Sequence, residues 1–280
     1  MSRPANPAAL SNAARPQPLR VGIFDSGVGG LSVMQAVRAH LPRAELLYAA
    51  DTGYAPYGDR SEADIHARSL SVLRFLRSQG AQLVVVACNT ATTVAIARLR
   101  DELPGLSIVG VEPGVKPAVA LSAAHRIGVL GTTRTVGSEK LRRLVQAHGG
   151  GATILLQACP GLADAIETAD AQGSGLDVLV ERYSAPLRDA KVDVAVLGCT
   201  HYVFARALFE RALPGVQLID TADAVARQTA RLASELPHEI VDADACVPTL
   251  RAWSTGSPEV LAAFARRWLG LDVDVQPMPA

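Results

Sequence analysis

The chain has 280 residues, with 27 Lys+Arg against 27 Asp+Glu, 49% hydrophobic and 4% aromatic. That length holds one large domain or two modest ones, enough to bury a real core. Balanced charge and few aromatics argue against nucleic acid or an anionic membrane as the main partner, and no apolar run approaches the ~18 residues of a membrane span.

Residues 1–19 (MSRPANPAALSNAARPQPL) are rich in Pro and Ala without an apolar core, so they read as a disordered tail and not a signal peptide. From residue 20 onward, short β-branched runs alternate with amphipathic Ala/Leu/Arg-rich stretches. Strands are predicted at 20–24, 45–49, 83–87, 107–111, 126–130, 153–156, 192–197 and 216–219. Helices are predicted between them, such as 31–40, 61–80 and 91–102. Apolar runs of this length alternating with helices indicate parallel strands covered on both faces. The fold class is α/β.

A weak internal repeat refines this. LVVVACNTATTVAIARLRDELPGLSIVG resembles VAVLGCTHYVFARALFERALPGVQLID, aligning Cys88 with Cys199. RVGIFDSGVGG resembles RIGVLGTTRTVG, setting Asp25-Ser26 against Gly131-Thr132. Two copies of a strand–loop–helix unit predict two pseudo-symmetric α/β domains with mainly parallel sheets. Ligands of such sheets bind at the carboxyl ends of the strands, so the site is expected in the interdomain cleft.

The loop after the first predicted strand reads FDSGVGGLS. Gly27, Gly29 and Gly30 permit tight turning and close backbone approach before a helix N-terminus. Ser32 stands where a dinucleotide fingerprint needs its third glycine, which disfavours a nicotinamide-dependent dehydrogenase. Asp25, at a strand's carboxyl end, suits proton acceptance or ammonium binding, or simply a turn. Cys88 and Cys199 each follow a buried run and precede polar residues at a predicted helix start. A helix N-terminus lowers a thiol's pKa, so matched positions favour a nucleophile or base over an inert core thiol. With no CxxC or HxxxH, no metal site is expected. The four Cys (88, 159, 199, 246) form no disulfide framework, and a reducing, cytoplasmic setting is expected. Three Lys (Lys116, Lys140, Lys191) leave few candidates for a Schiff base. Paired thiols across a cleft suit inversion of a carbon centre, one removing a proton from one face while the other returns a proton to the opposite face.

FDSGVGGLSV, DTGYAPYG, ACNTAT, GTTRTV, ACPGLADAIE and GCTHY together resemble the glutamate racemases of the cofactor-independent aspartate/glutamate racemase superfamily, over nearly all of residues 20–270. The resemblance implies interconversion of L- and D-glutamate without a cofactor, supplying D-glutamate for peptidoglycan. It implies catalytic roles for Cys88 and Cys199, with Cys88 on the D-glutamate side and Cys199 on the L-glutamate side. Asp25, His201 and Glu167 assist them. Substrate contacts are implied at Asp25, Ser26, Tyr57, Gly58, Asn89, Thr90, Thr132, Thr135, Thr200 and His201, with Asp51 in support. It divides the chain into 20–112 with 224–280, and 113–223. His201 favours glutamate, because the aspartate racemases usually carry an acidic residue there. A homodimer is expected, its geometry left open by loop differences such as Glu112 in GVEPGVKP. Cys159 and Cys246 match no family thiol and are expected to be bystanders. An aspartate racemase and a two-lobed amino-acid binding protein are the competing readings.

Overall fold

The computed structural model describes residues 18–168, 175–237 and 249–279. Cys246 and residues 1–17 of the expected tail lie outside them. Leu19 is buried, and its carbonyl accepts from the Glu45 amide.

Among the described residues, ten strands build two parallel sheets. The first holds β1 (Arg20–Asp25), β2 (Glu45–Ala50), β3 (Leu83–Val86), β4 (Ser107–Gly110), β9 (Leu250–Ser254) and β10 (Val275–Pro277), in the order β10-β9-β2-β1-β3-β4. The second holds β5 (Arg126–Gly131), β6 (Thr153–Ala158), β7 (Val194–Leu197) and β8 (Gln217–Ile219), in the order β6-β5-β7-β8. Every pairing is parallel. The order β2-β1-β3-β4 therefore recurs as β6-β5-β7-β8, and the weak sequence repeat corresponds to a repeated sheet. The α/β class with two like parallel sheets is as expected.

Burial explains the sequence pattern. LVVV of β3 and VAVL of β7 are buried at every residue, because helices cover both faces of these inner strands. One apolar cluster runs continuously from Ile23 and Val85 in the first sheet to Leu130 and Leu197 in the second. The chain crosses between the sheets after Gly110 and returns after Ile219, where the helix Ala222–Ala233 packs on the helix Leu31–His40. No described helix is long and apolar enough to cross a membrane.

In each sheet the chain goes from the central strand to one neighbour and then back across to the other side. That reversal is a topological switch point, where the loops at the strands' carboxyl ends part and leave a crevice. Asp25 ends β1 and Cys88 follows β3 at one such point. Thr132 and Cys199 follow β5 and β7 at the other.

Candidate active site

Cys88 caps the helix Asn89–Glu102, and its Sγ accepts from the Ala91 amide at 3.4 Å. The Ser26 hydroxyl lies 3.3 Å from the same sulfur. The helix-terminal Ala91 amide lowers this thiol's pKa, but is overridden. Burial and then the charge of Asp25 outweigh the hydrogen bonds from Ser26 and Ala91 and push it up to about 12. A reactive, low-pKa Cys88 is thus corrected to a thiol held neutral.

Cys199 differs more from expectation. It precedes a turn and a 3-10 helix (Tyr202–Ala205), closed by the Tyr202 amide on the Cys199 carbonyl at 3.1 Å. The α-helix starts only at Arg206, so no α-helix N-terminus faces this sulfur. Its polar neighbour is His201, with Nδ1 at 3.7 Å from Sγ. His201 Nε2 lies 2.6 Å from Glu167 Oε1, which also accepts from the Val28 amide at 3.1 Å. Burial disfavours the imidazolium, but Cys199 and Glu167 together hold the His201 pKa well above 6.5. Burial likewise opposes the Glu167 carboxylate, and the His201 and Val28 bonds overcome it, leaving its pKa lowered.

This pair carries a pH signature. A raised His201 value gives stability that is complete below pH 6.5 and lost as pH rises through that raised value. A lowered Glu167 value gives stability that is complete above pH 4.5 and lost as pH falls through that lowered value. The melting temperature of the native chain should therefore exceed that of Glu167→Gln by most between about pH 4.5 and 6.5, narrowing on both sides. Thermal melts across pH check this, and a pH-independent gap contradicts it.

The glycine loop is a seat for the second sheet. A Cβ at Gly27 would collide with the Glu167 carboxylate, and one at Gly29 with His201 Nδ1 and with Thr200 Oγ1. Close approach by protein side chains, not by phosphate, is what these glycines permit. Asp25 sits behind the loop, fully buried. It accepts from the Gly27 amide at 2.7 Å and from Thr200 Oγ1 at 3.1 Å, and burial raises its pKa.

A small cavity of about 30 Å³ brings together Ser26, Tyr57, Gly58, Cys88, Asn89, Thr90, Thr132, Glu167, Cys199, Thr200 and His201. Room for only a water or two remains, so a larger molecule requires the walls to part. Thr90 and Thr132 hydroxyls meet at 3.0 Å across the two sheets. Asn89 Oδ1 is buried without a partner among the described residues, an acceptor suited to an ammonium group. Two expected contacts, Asp25 and Thr135, lie behind the wall, as does Asp51, expected in support. The Thr135 hydroxyl is fully buried and accepts from Thr132 at 3.0 Å, because the short helix Thr133–Val136 turns it inward. Asp164 also lines the cavity and was missed by the sequence reading. Its only signal was its place one helical turn before Glu167, on the same face. Larger hollows of about 390 and 620 Å³ lie away from both thiols, and Glu112 on the rim of the smaller pairs with Lys140 at 2.8 Å.

Two like parallel sheets whose switch points converge on a pair of thiols and a histidine–glutamate pair define an α/β enzyme with a cleft site. A family profile described as Asp/Glu/Hydantoin racemase matches residues 31–229. The glutamate racemase of Ectopseudomonas mendocina is 42% identical over 256 residues, 91% of this chain and 96% of that protein. A solved glutamate racemase isoform from Bacillus anthracis superposes with a TM-score of 0.82 at 30% identity, covering 93% of this chain and 97% of that one. The Escherichia coli glutamate racemase, solved with L-glutamate and the activator UDP-MurNAc-ala, gives 0.81 at 31% identity, covering 94% and 98%. The chain belongs to the Asp/Glu/Hydantoin racemase family.

Proposed function

We propose that the chain is a glutamate racemase that inverts the α-carbon by a two-base mechanism without a cofactor, with Cys88 and Cys199 as the bases. The observation that carries this is that two thiols, one from the switch point of each sheet, line one small cavity. Burial and the charge of Asp25 disfavour a thiolate at Cys88, while His201, its Nε2 2.6 Å from Glu167, sets its Nδ1 3.7 Å from the Cys199 sulfur. A sulfur from each sheet on one cavity supplies the two proton-transferring groups that inversion requires.

Glutamate brings two carboxylates and one ammonium. The hydroxyls of Ser26, Thr90, Thr132 and Thr200 suit the carboxylates, and Asn89 Oδ1 suits the ammonium. Asp25 acts from behind the loop, on Cys88 by its charge and on Thr200 by a hydrogen bond. The named relatives and His201 within GCTHY both favour glutamate over aspartate. The same reading takes 113–223 as one domain and 20–112 with 224–280 as the other, in a cytoplasmic homodimer whose product feeds peptidoglycan synthesis.

Optical rotation of purified protein with either amino acid, without added cofactor, tests the assignment. Racemisation of glutamate should exceed that of aspartate by more than tenfold, a transition-state difference above about 1.4 kcal/mol. Equal rates overturn the glutamate assignment and spare the racemase one.

A further inference from the structure

Resting on the glutamate racemase reading, we infer that Arg68 and Thr255 are positioning residues that, through Asp51 and Tyr57, hold the 55–58 loop as a wall of the substrate cavity. Ala55, Pro56, Tyr57 and Gly58 all line that cavity, yet none belongs to a strand or an α-helix that would fix it. Their anchorage comes from a buried polar cluster beside them.

Asp51 directly follows β2 and is fully buried. Its Oδ2 accepts from Tyr57 Oη at 2.6 Å and from Arg68 Nε at 3.1 Å. Its Oδ1 accepts from Arg68 Nη2 at 2.8 Å and from Thr255 Oγ1 at 2.8 Å. A carboxylate has about four lone-pair sites, and protein groups fill them all. Asp51 therefore has no acceptor left for a substrate ammonium, and its charge is met by the two-pronged Arg68 fork.

The cluster also clamps the loop's other end. The Arg68 guanidinium lies 3.6 Å from the Tyr54 ring centroid, and Arg60 Nε donates to the Tyr54 carbonyl. Thr255 Oγ1 accepts from the Gly53 amide at 3.1 Å, and Thr52 Oγ1 accepts from the Gly256 amide at 3.2 Å. The segments after β2 and β9 approach so closely that a Cβ at Gly256 would stand 2.6 Å from Thr52 Oγ1. Segment 254–256 and the helix Glu62–Ser78 thus grip a loop that lies between them and the cavity.

Neither Arg68 nor Thr255 touches a thiol. Ser26 and Ala91 hold Cys88, and His201 faces Cys199. Loosening the clamp should weaken substrate binding without changing proton transfer, which raises KM and leaves kcat nearly unchanged. A merely structural role would do the reverse: it would reduce the folded fraction and with it the apparent kcat, and leave the KM of folded molecules unmoved.

The test is steady-state kinetics with glutamate on the full chain. Thr255→Val keeps the shape and removes two hydrogen bonds, and Arg68→Lys keeps the charge and removes the fork. Each should raise KM about five- to tenfold with kcat within about threefold, the result of a displaced binding wall. Arg68→Ala should raise KM further, or fail to fold, with Arg68→Lys as its partial rescue. Adding Tyr57→Phe to Thr255→Val should raise KM by less than the product of the single effects, since both act through Asp51. KM within about twofold of the native chain in folded Thr255→Val and Arg68→Lys overturns the inference. A native chain that does not racemise glutamate overturns the reading of the site, and this inference with it.

Discussion

Replacing Cys88 or Cys199 by alanine is expected to lower glutamate racemisation by about 10²–10⁴-fold, the usual worth of a positioned proton transfer. On the proposed mechanism each sulfur serves one face of the α-carbon, so the loss of either removes one of the two proton transfers. L- and D-glutamate have equal free energies. The loss in kcat/KM must therefore be the same from either enantiomer, whichever thiol is removed. Cys159→Ser provides the control. Cys159 is buried in the loop after β6, with a pKa pushed up to about 12 by burial, and it does not line the cavity. Its replacement should leave turnover within about threefold, whereas loss of activity in folded Cys159→Ser would refute the assignment of the thiols. Initial rates at several concentrations of each enantiomer decide both points.

Gly29→Ala should cost about 10²-fold in kcat/KM without adding or removing any polar group, the scale expected when catalytic groups move by about 1 Å. Its new Cβ would collide with His201 Nδ1 and stand 2.6 Å from Thr200 Oγ1. The backbone at Gly29 is not in the left-handed region, so conformational strain is not the cause. Both neighbours belong to the turn after β7 that carries Cys199. Pushing that turn away displaces His201 from Cys199, and Thr200 from Asp25. Gly105→Ala is the useful contrast: that glycine has φ +80° but open space around it, so it should lose stability and keep kcat/KM. A Gly29→Ala variant with native kinetics would contradict the seating of the second sheet on this loop.

Much of the fold was legible because the inner strands are buried on both faces and must be continuously apolar, as in LVVV and VAVL. β9 and β10 were not named. Arg251 interrupts β9, its guanidinium lying 4.7 Å from the Trp253 ring centroid, and β10 is a three-residue edge strand. The cavity residues were legible as motifs, and the repeat paired the two thiols correctly. The state of the Cys88 thiol was not. A helix start at Cys88 is visible in ACNTAT, but the burial and the Asp25 charge that override it come from tertiary packing. GCTHYVFAR keeps an apolar period, which hides the turn that swings His201 back toward Glu167. The anchoring role of Asp51 was not legible, because Arg68 and Thr255, its partners, lie 17 and 204 residues away in sequence.

The most direct test of opposed thiols is racemisation of L-glutamate in heavy water, with α-deuterium read in both enantiomers at low conversion. On the proposed mechanism Cys199 takes the α-proton on one face, and Cys88, exchanged with solvent, returns a deuteron on the other. Early D-glutamate should then be almost fully deuterated at the α-carbon while the remaining L-glutamate stays largely protiated. A single shared base would carry part of the original hydrogen across, and early D-glutamate retaining substantial α-protium would contradict the assignment of both cysteines.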